Sequence, residues 1–485
     1  MKPSRLLGLV SAVSLLASCG GGGSGSGSVS VPGGTGTGNT PTPTPTANGC
    51  SLRERQDWAA TQLREWYLFP ETLPTGLNPA AYTNIDDYID ALTANARAQN
   101  KDRYFTYLTS ISEENAYYGS GASAGYGFRL TYDSVNRRIL IAEAFEGGPA
   151  LNAGIDRGAE IVAIGTSPST MRTIAAILAT EGTEGVNNAL GPSTVGTTRV
   201  LRIVDSSGTR DLTVAKADYV LPPVSNRYGV RILDDGGTKV GYVNLRTFIE
   251  TADPALRTAF AQFRAAGVTR LIVDLRYNGG GLISIAELMG DLMGANRSTS
   301  DVFTQIAFRA EKSSENSARN FRPQAESVAP IRIAFIGTGG TASASEMVIN
   351  AFIPYLHANV GLIGTNTYGK PVGQIAVDRT QCDDRLRVVA LAVQNSAGQG
   401  DYYNGLASKV EASCRAEDDI AHAMGDPAEA STRAALDYLA GRICTPISGS
   451  LATASAERVA LGTPETRLLT PARPSPVQRE VPGAY

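Results

Sequence analysis

Two glycine-rich segments stand where chemistry could be done in this 485-residue chain: Asn278-Gly279-Gly280-Gly281 and the run from Gly337 to Ala342. Each follows an apolar stretch that reads as a buried strand, at 271–276 and 331–336, and each precedes a helical pattern, at 282–294 and 343–352. A strand, a glycine turn and a helix in that order leave the first N–H groups of the helix unpaired. They also place its positive dipole end at the rim of a sheet, where negative charge is stabilised. Hydroxyls and an amine gather at and beyond the second turn, in Thr341-Ala342-Ser343-Ala344-Ser345-Glu346 and Thr367-Tyr368-Gly369-Lys370-Pro371-Val372-Gly373-Gln374. The chain has only two histidines, His357 and His422, and neither belongs to an HExxH or another closely spaced set of metal ligands. That argues against a His-rich zinc site, and a Ser-His-Asp triad would have to recruit one of the two.

The elements that must position these residues form an α/β layered pattern. Residues 239–245 read as a short strand and 254–266 as an amphipathic helix, ahead of the two strand, turn and helix units. Upstream, 50–114 is helical: Trp58, Leu63, Trp66 and Leu68 form one apolar stripe, and Tyr82, Ile85, Tyr88, Ile89 and Leu92 a second. Hydrophobic residues make up 42% of the chain, enough for real cores, and the length suggests roughly two to four domains. A net charge of −3 gives generic nucleic-acid binding no electrostatic support.

Between these regions, Gly125-Tyr126-Gly127-Phe128 opens a stretch of short strands. Glu146-Gly147-Gly148-Pro149-Ala150-Leu151-Asn152-Ala153-Gly154-Ile155 and Gly158-Ala159-Glu160-Ile161-Val162-Ala163-Ile164 follow in order. This set resembles a PDZ domain over 115–218. The resemblance implies that the 125–128 loop offers backbone N–H groups to a terminal carboxylate, while the peptide adds as a strand beside the one that follows.

With DLRYNGGG, SASE and YGK in sequence after that unit, residues 115 to about 380 resemble the C-terminal processing, or tail-specific, serine peptidases. The resemblance implies a multidomain α/β protein: an N-terminal helical domain at 50–114, a PDZ-like β-rich domain at 115–218, and a crotonase- or ClpP-like layered peptidase domain at 219–445. It implies Ser343 as nucleophile, Lys370 as general base 27 residues downstream, and Gln374 as the group that orients the lysine amine. The oxyanion donors would be the backbone N–H of Ala344 and of Gly279 or Gly280. The chemistry asks for such a set, because a serine needs a base and an ammonium cannot serve as one. Burial in a dry pocket would keep Lys370 neutral, and neither metal nor cofactor is required. Pro371 follows the lysine where glycine is common in the family, and the first turn reads Asn-Gly-Gly-Gly rather than Asn-Pro-Gly-Gly. Some members carry an acidic residue about 11 positions after the nucleophile, where this chain has Pro354, so no third carboxylate is assigned. Glu346 is read first as a helix-start residue, and Asp274 and Arg276 as a structural pair near a strand end.

Other readings are weaker. Gly337-Thr338-Gly339-Gly340-Thr341-Ala342 formally fits a dinucleotide fingerprint, but 357–365 lacks the acidic residue such a site needs. A second reading is a non-catalytic lipoprotein that binds peptide tails and keeps the peptidase fold.

Lys2 and Arg5 precede an apolar stretch from Leu6 to Ala17, which is too short to span a bilayer but suits a signal peptide. It ends Leu16-Ala17-Ser18-Cys19-Gly20, which resembles a bacterial lipobox and implies lipidation at Cys19, with the body tethered to the cell envelope, at the outer membrane facing the periplasm or the surface. The Gly/Ser/Thr/Pro-rich stretch 20–49 reads as a linker. Unfolded or C-terminally exposed polypeptides are the expected partners. Cys50, Cys382, Cys414 and Cys444 admit two disulfides, with Cys382–Cys414 and Cys50–Cys444 the favoured pairing. Residues 446–485 read as a disordered tail, dispensable for catalysis.

Overall fold

The computed structural model describes residues 49–448 and 466–485, so the leader, Cys19 and the linker up to residue 48 lie outside the described residues. Its central sheet has six strands in the order Val230–Asp235, Thr238–Asn244, Arg270–Asp274, Arg332–Gly337, Val360–Gly364 and Ala412–Arg415. The first two pair as an antiparallel hairpin, and every later pair is parallel. Parallel strands covered on both faces must be apolar throughout, which is why Leu271-Ile272-Val273 and Ile333-Ala334-Phe335-Ile336 carry no alternation. Leu271, Val273, Ile333 and Phe335 pack under helices Ala252–Ala265, Ile283–Leu292 and Ala344–Leu356. Ile272, Ala334 and Ile336 face helix Ala430–Leu439 on the other side.

A buried ion cluster joins that last helix to the sheet. The guanidinium of Arg276, fully buried, donates to Asp274 Oδ2 at 2.8 Å and to both carboxylate oxygens of Glu429 at 2.8 and 2.9 Å. Glu429 in turn caps the helix by accepting from the backbone N–H of Ser431 and Thr432. Asp274 and Arg276 are thus paired at the strand end as expected, and Glu429 is the partner the sequence did not reveal.

The second sheet contains Tyr107–Ser110, Asp384–Gln394, Val302–Phe308 and Ser317–Asn320, with Val372–Arg379 also paired to Asp384–Gln394. Leu63 of helix Leu52–Trp66, and Ile85, Tyr88, Ile89 and Leu92 of helix Ile85–Leu92, pack on Val372, Leu386, Val388 and Val389. The 50–114 stretch therefore shares its core with strands far along the chain, rather than enclosing one of its own. One compact unit runs from Ala47 to Tyr485.

The disulfides correct the expected pairing. Cys50 joins Cys382 and Cys414 joins Cys444. Cys382 lies in the turn between Val372–Arg379 and Asp384–Gln394, where the first helix begins and Arg55 meets Asp384. Cys414 lies on the edge strand beside the chain leaving helix Ala430–Leu439, where Arg415 N–H donates to Thr445 O at 2.7 Å.

A seven-stranded antiparallel sheet holds Thr466–Leu468, Phe128–Asp133, Arg138–Ala144, Glu160–Gly165, Thr198–Asp205 and Gly208–Ala215 in that order, with Arg172–Thr173 paired to Glu160–Gly165. Strands Ala122–Gly125 and Ala217–Val220 pair as its stem. The presence of Thr466–Leu468 corrects the reading of the end of the chain: residues 466–485 fold back onto this sheet and carry a helix at Pro476–Glu480. Their apolar residues are sparse but find buried places, with Val481 fully buried.

Replacing Arg276 with Met strands the two buried carboxylates and should lower unfolding free energy by about 3–5 kcal/mol, measured by urea denaturation. Burial alone would raise the Glu429 pKa, but Arg276 and the capping bonds hold it down at about 2. The free carboxyl titrates near about 4.3, so the stabilisation is complete above that value and falls away as pH drops toward 2. Denaturation midpoints across that acid range should show the loss in the native chain, and less of it in Arg276→Met. Peptide mapping under non-reducing conditions should recover Cys50 linked to Cys382 and Cys414 linked to Cys444.

Candidate active site

Three parallel neighbours of the central sheet, Arg270–Asp274, Arg332–Gly337 and Val360–Gly364, end at the same rim, and the turns that follow them build the site. The first two turns are laced together. Ser345 Oγ donates to Asn278 O at 3.0 Å, Ala342 N–H to the same carbonyl at 3.0 Å, and Thr341 Oγ1 to Leu275 O at 2.7 Å. Tyr368 N–H donates to Thr341 O at 2.9 Å and ties in the third. Ser345 thus has a structural task, and Ser343 is the serine left at the turn.

Ser343 stands at the N-cap of helix Ala344–Leu356 with φ 55° and ψ −114°. A non-glycine residue there carries strain of about 1–3 kcal/mol, which persists only where the surroundings impose it. They do so through Glu346, in the first turn of the same helix and fully buried. Its Oε2 accepts from Ser343 N–H at 3.1 Å and Lys370 N–H at 2.7 Å; its Oε1 accepts from Gly369 N–H at 2.7 Å and Thr367 Oγ1 at 2.6 Å. One carboxylate oxygen therefore ties the backbones of Ser343 and Lys370 together. Burial pushes the Glu346 pKa up, and the bonds from Lys370, Thr367, Gly369 and Ser343 oppose that shift.

Lys370 precedes strand Val372–Arg379 and is partly covered, with its amine end inside the protein. Its Nζ donates to Gln374 Oε1 at 2.9 Å and lies 5.1 Å from the Phe105 ring centroid. The Gln374 amide nitrogen donates to Phe105 O, which turns the amide oxygen toward the lysine. Burial pushes the Lys370 pKa below the usual lysine value; the charge of Glu480 acts in the opposite sense.

Of the two expected oxyanion glycines, only Gly279 points its N–H at a peptide carbonyl, that of Glu480 at 2.9 Å. The Gly280 N–H is taken by Asn278 Oδ1 at 2.9 Å. Gly280, at φ 126°, still shapes the site: a Cβ there would lie 2.8 Å from Ser343 Cβ, 3.2 Å from Ala344 N and 3.2 Å from Glu480 Oε2. Ser343, Ala344, Gly280 and the incoming Glu480 thus surround one point. Gly125, Tyr126, Gly127 and Phe128 are buried on the seven-stranded unit, where Gly127 and Phe128 N–H groups meet the backbone oxygen of Tyr485.

His357 lies at the far end of helix Ala344–Leu356, about 20 Å from Ser343 at 1.5 Å per residue, exposed and paired with Glu411. His422 pairs with Asp419 on the surface. Distance from Ser343 rules out a triad built on His357, and His422 is exposed with its Nδ1 engaged by Asp419. Among the described residues no cluster of His, Cys, Asp and Glu could hold a metal, and no helix is long and apolar enough to cross a membrane.

Reading the sequence missed Glu346 as a bridge, although a Glu three residues after a helix N-cap serine is the pattern of a carboxylate reaching back to the cap N–H. No sequence signal marked Glu480. Glu346→Ala would leave Ser343, Gly369 and Lys370 N–H groups buried without partners, and should cost about 3 kcal/mol or more in chemical denaturation.

Residues 239–406 match the sequence model of peptidase family S41. A chloroplastic C-terminal processing peptidase of Tetradesmus obliquus is 27% identical over 279 residues, covering 53% of this chain and 54% of the relative. The carboxy-terminal processing protease CtpA of Bacillus subtilis is 26% identical over 299 residues, covering 61% of this chain and 57% of the relative. The chain thus spans about half the length of the curated relatives it matches. Among solved structures, a Bacteroides fragilis protein described as an S41 protease superposes with a TM-score of 0.62 at 23% identity, over 79% of this chain and 97% of that one. That likeness is one of fold.

Proposed function

The chain carries a peptidase family S41 region and is related to C-terminal processing peptidases, and from that premise we propose that it is a serine endopeptidase working through a Ser343–Lys370 dyad. The observation that supports this reading is the single Glu346 oxygen that accepts from both Ser343 and Lys370 N–H, because it ties the two backbones to one carboxylate at the rim.

In the proposed reaction neutral Lys370 takes the Ser343 proton as Oγ attacks the substrate carbonyl carbon. The negative oxygen of the tetrahedral intermediate is stabilised by the N–H groups of Gly279 and Ala344, each worth about 3 kcal/mol in comparable sites. Collapse of the intermediate breaks the C–N bond, and the Lys370 ammonium returns its proton to the leaving amine. Water, deprotonated by Lys370, then hydrolyses the acyl-serine and regenerates the hydroxyl. Gln374 keeps the amine aimed along this path.

The proposal assigns 115–218 as a PDZ-like unit that selects exposed C-terminal tails of unfolded polypeptides. Supporting it are the N–H groups of Gly127 and Phe128 at a backbone oxygen and the edge of strand Phe128–Asp133 beside them. A lipid anchor at Cys19, holding the protein to the cell envelope, rests on the Leu16-Ala17-Ser18-Cys19 motif. A tail-binding protein without catalysis is the second reading, and the presence of both Ser343 and Lys370 in the chain speaks against it.

Ser343→Ala and Lys370→Ala should each reduce cleavage of an unfolded protein substrate by about a thousandfold or more. Undiminished cleavage in either variant would remove the dyad. Because burial lowers the Lys370 pKa and the neutral form reacts, kcat/KM should rise with pH along a limb whose midpoint lies below the free lysine value of about 10.4.

A further inference from the structure

The end of the described chain lies along the path that the proposed function assigns to a substrate. Residues 466–469 pair antiparallel with strand Phe128–Asp133, from Thr466 opposite Asp133 to Leu468 opposite Thr131, and Leu469 N–H donates to Leu130 O at 3.0 Å. Further along the same edge, Leu130 N–H donates to Gly483 O at 2.8 Å and Tyr485 N–H to Phe128 O at 2.9 Å. Gly127 N–H donates to Tyr485 O at 2.9 Å. The whole edge is occupied, and main-chain pairing of this kind is how a sheet edge takes up a peptide. The Tyr485 ring is buried with Tyr126, Phe128, Ile177 and Val186, and its hydroxyl donates to Asn187 Oδ1. Glycine is required at 125, where a Cβ would come 2.6 Å from the Tyr485 carbonyl carbon.

Between Leu469 and Gly483 the segment crosses the reacting groups. Arg479 places its guanidinium 3.5 Å from the centroid of the Tyr107 ring and donates to Tyr104 O at 3.0 Å. The Glu480 carbonyl accepts from Gly279, and its Oε1 accepts from Tyr118 Oη at 2.9 Å. Its Oε2 is directed to the point shared by Ser343 Cβ and Ala344 N. Arg129, itself held by Glu143 at 2.8 Å, donates to Pro482 O at 3.1 Å and stacks over Tyr277 of the first glycine turn.

We propose that residues 466–485 are a tethered inhibitor that fills both the tail-binding edge and the reacting centre, so that an external polypeptide is cut only after this segment leaves. The proposal rests on the peptidase reading of Ser343 and Lys370. Two features make the segment an inhibitor rather than a poised substrate. A side-chain carboxylate, not a scissile carbonyl, shares with Ser343 and Ala344 the space that a Gly280 Cβ would fill. That carboxylate also favours the ammonium form of Lys370, which cannot act as base. Being part of the chain, the segment competes at an effective concentration of roughly millimolar, so an external tail must bind well to displace it. The seated residue shows what such a tail needs: an aromatic side chain at the loop.

The test uses a fluorescein-labelled synthetic peptide of residues 476–485, with anisotropy read on the full chain carrying Ser343→Ala, alone and with Tyr485→Asp or Val481→Asp. Both added substitutions put a charge where the segment is buried, and circular dichroism and thermal melts identify the variant that keeps the fold. An occupied site lowers apparent affinity by the fraction still open, so either unseated variant should bind the peptide at least about tenfold more tightly than its parent. With Ser343 restored, the same variants should cleave unfolded protein about tenfold faster than the native chain. Equal peptide affinity in parent and folded variants overturns the proposal, whatever the cleavage rates. Tighter binding without cleavage by any variant supports the occupancy and overturns the peptidase reading instead.

Discussion

A buried carboxylate must be satisfied, and at Glu346 that requirement organises the site. Four donors from two stretches of chain meet its two oxygens, and three of them are backbone N–H groups with no helix or strand partner to take their place. An unpaired charge at full burial is among the most destabilising features a fold can contain, so the turn at Ser343 and the turn before Lys370 have one low-energy arrangement. The left-handed backbone at Ser343 survives for the same reason. Its strain is small beside the cost of releasing the Glu346 oxygen that holds its N–H.

The layers beneath supply rigidity for this arrangement. Three parallel strands end in register, and their turns are stitched by Thr341, Ser345 and the Asn278 carbonyl rather than left as independent loops. Behind the first turn, Arg276 ties the strand end to the cap of helix Ala430–Leu439. In front of it, Arg129 of the seven-stranded unit stacks on Tyr277 while Arg246, on the central unit, shares Glu143 with it. The edge that receives the terminal segment is thereby connected, through packed charged groups, to the glycine turn whose N–H meets Glu480.

Covalent and noncovalent closure by distant residues is a repeated device here. Cys50 with Cys382, helix Leu52–Trp66 on strand Asp384–Gln394, and residues 466–485 on strand Phe128–Asp133 all join parts of the chain hundreds of residues apart. The helix covers a sheet face and the terminal segment a sheet edge that would otherwise be exposed, while the disulfide pins the start of the helix to the turn it packs beside.

Much of the molecule could be read from residue order alone. The strand, turn and helix units, the apolar stripes at Leu63 and at Ile85 to Leu92, and the proximity of Asp274 to Arg276 follow from local periodicity and turn chemistry, which act over a few residues. Ser343, Lys370 and Gln374 were singled out differently, by the resemblance of the motifs around them to a peptidase family. What only the tertiary structure decided depends on long-range proximity, which no local pattern encodes. The disulfide partners, Glu429 as counter-ion of Arg276, Glu346 as the bridge between two turns, and Gly279 rather than Gly280 as the N–H facing the cleft are all of this kind. The end of the chain is the clearest case. Residues 466–485 are poor in apolar residues and look unable to fold by themselves, and they do not: an existing sheet edge pairs their backbone, and an existing pocket takes Tyr485.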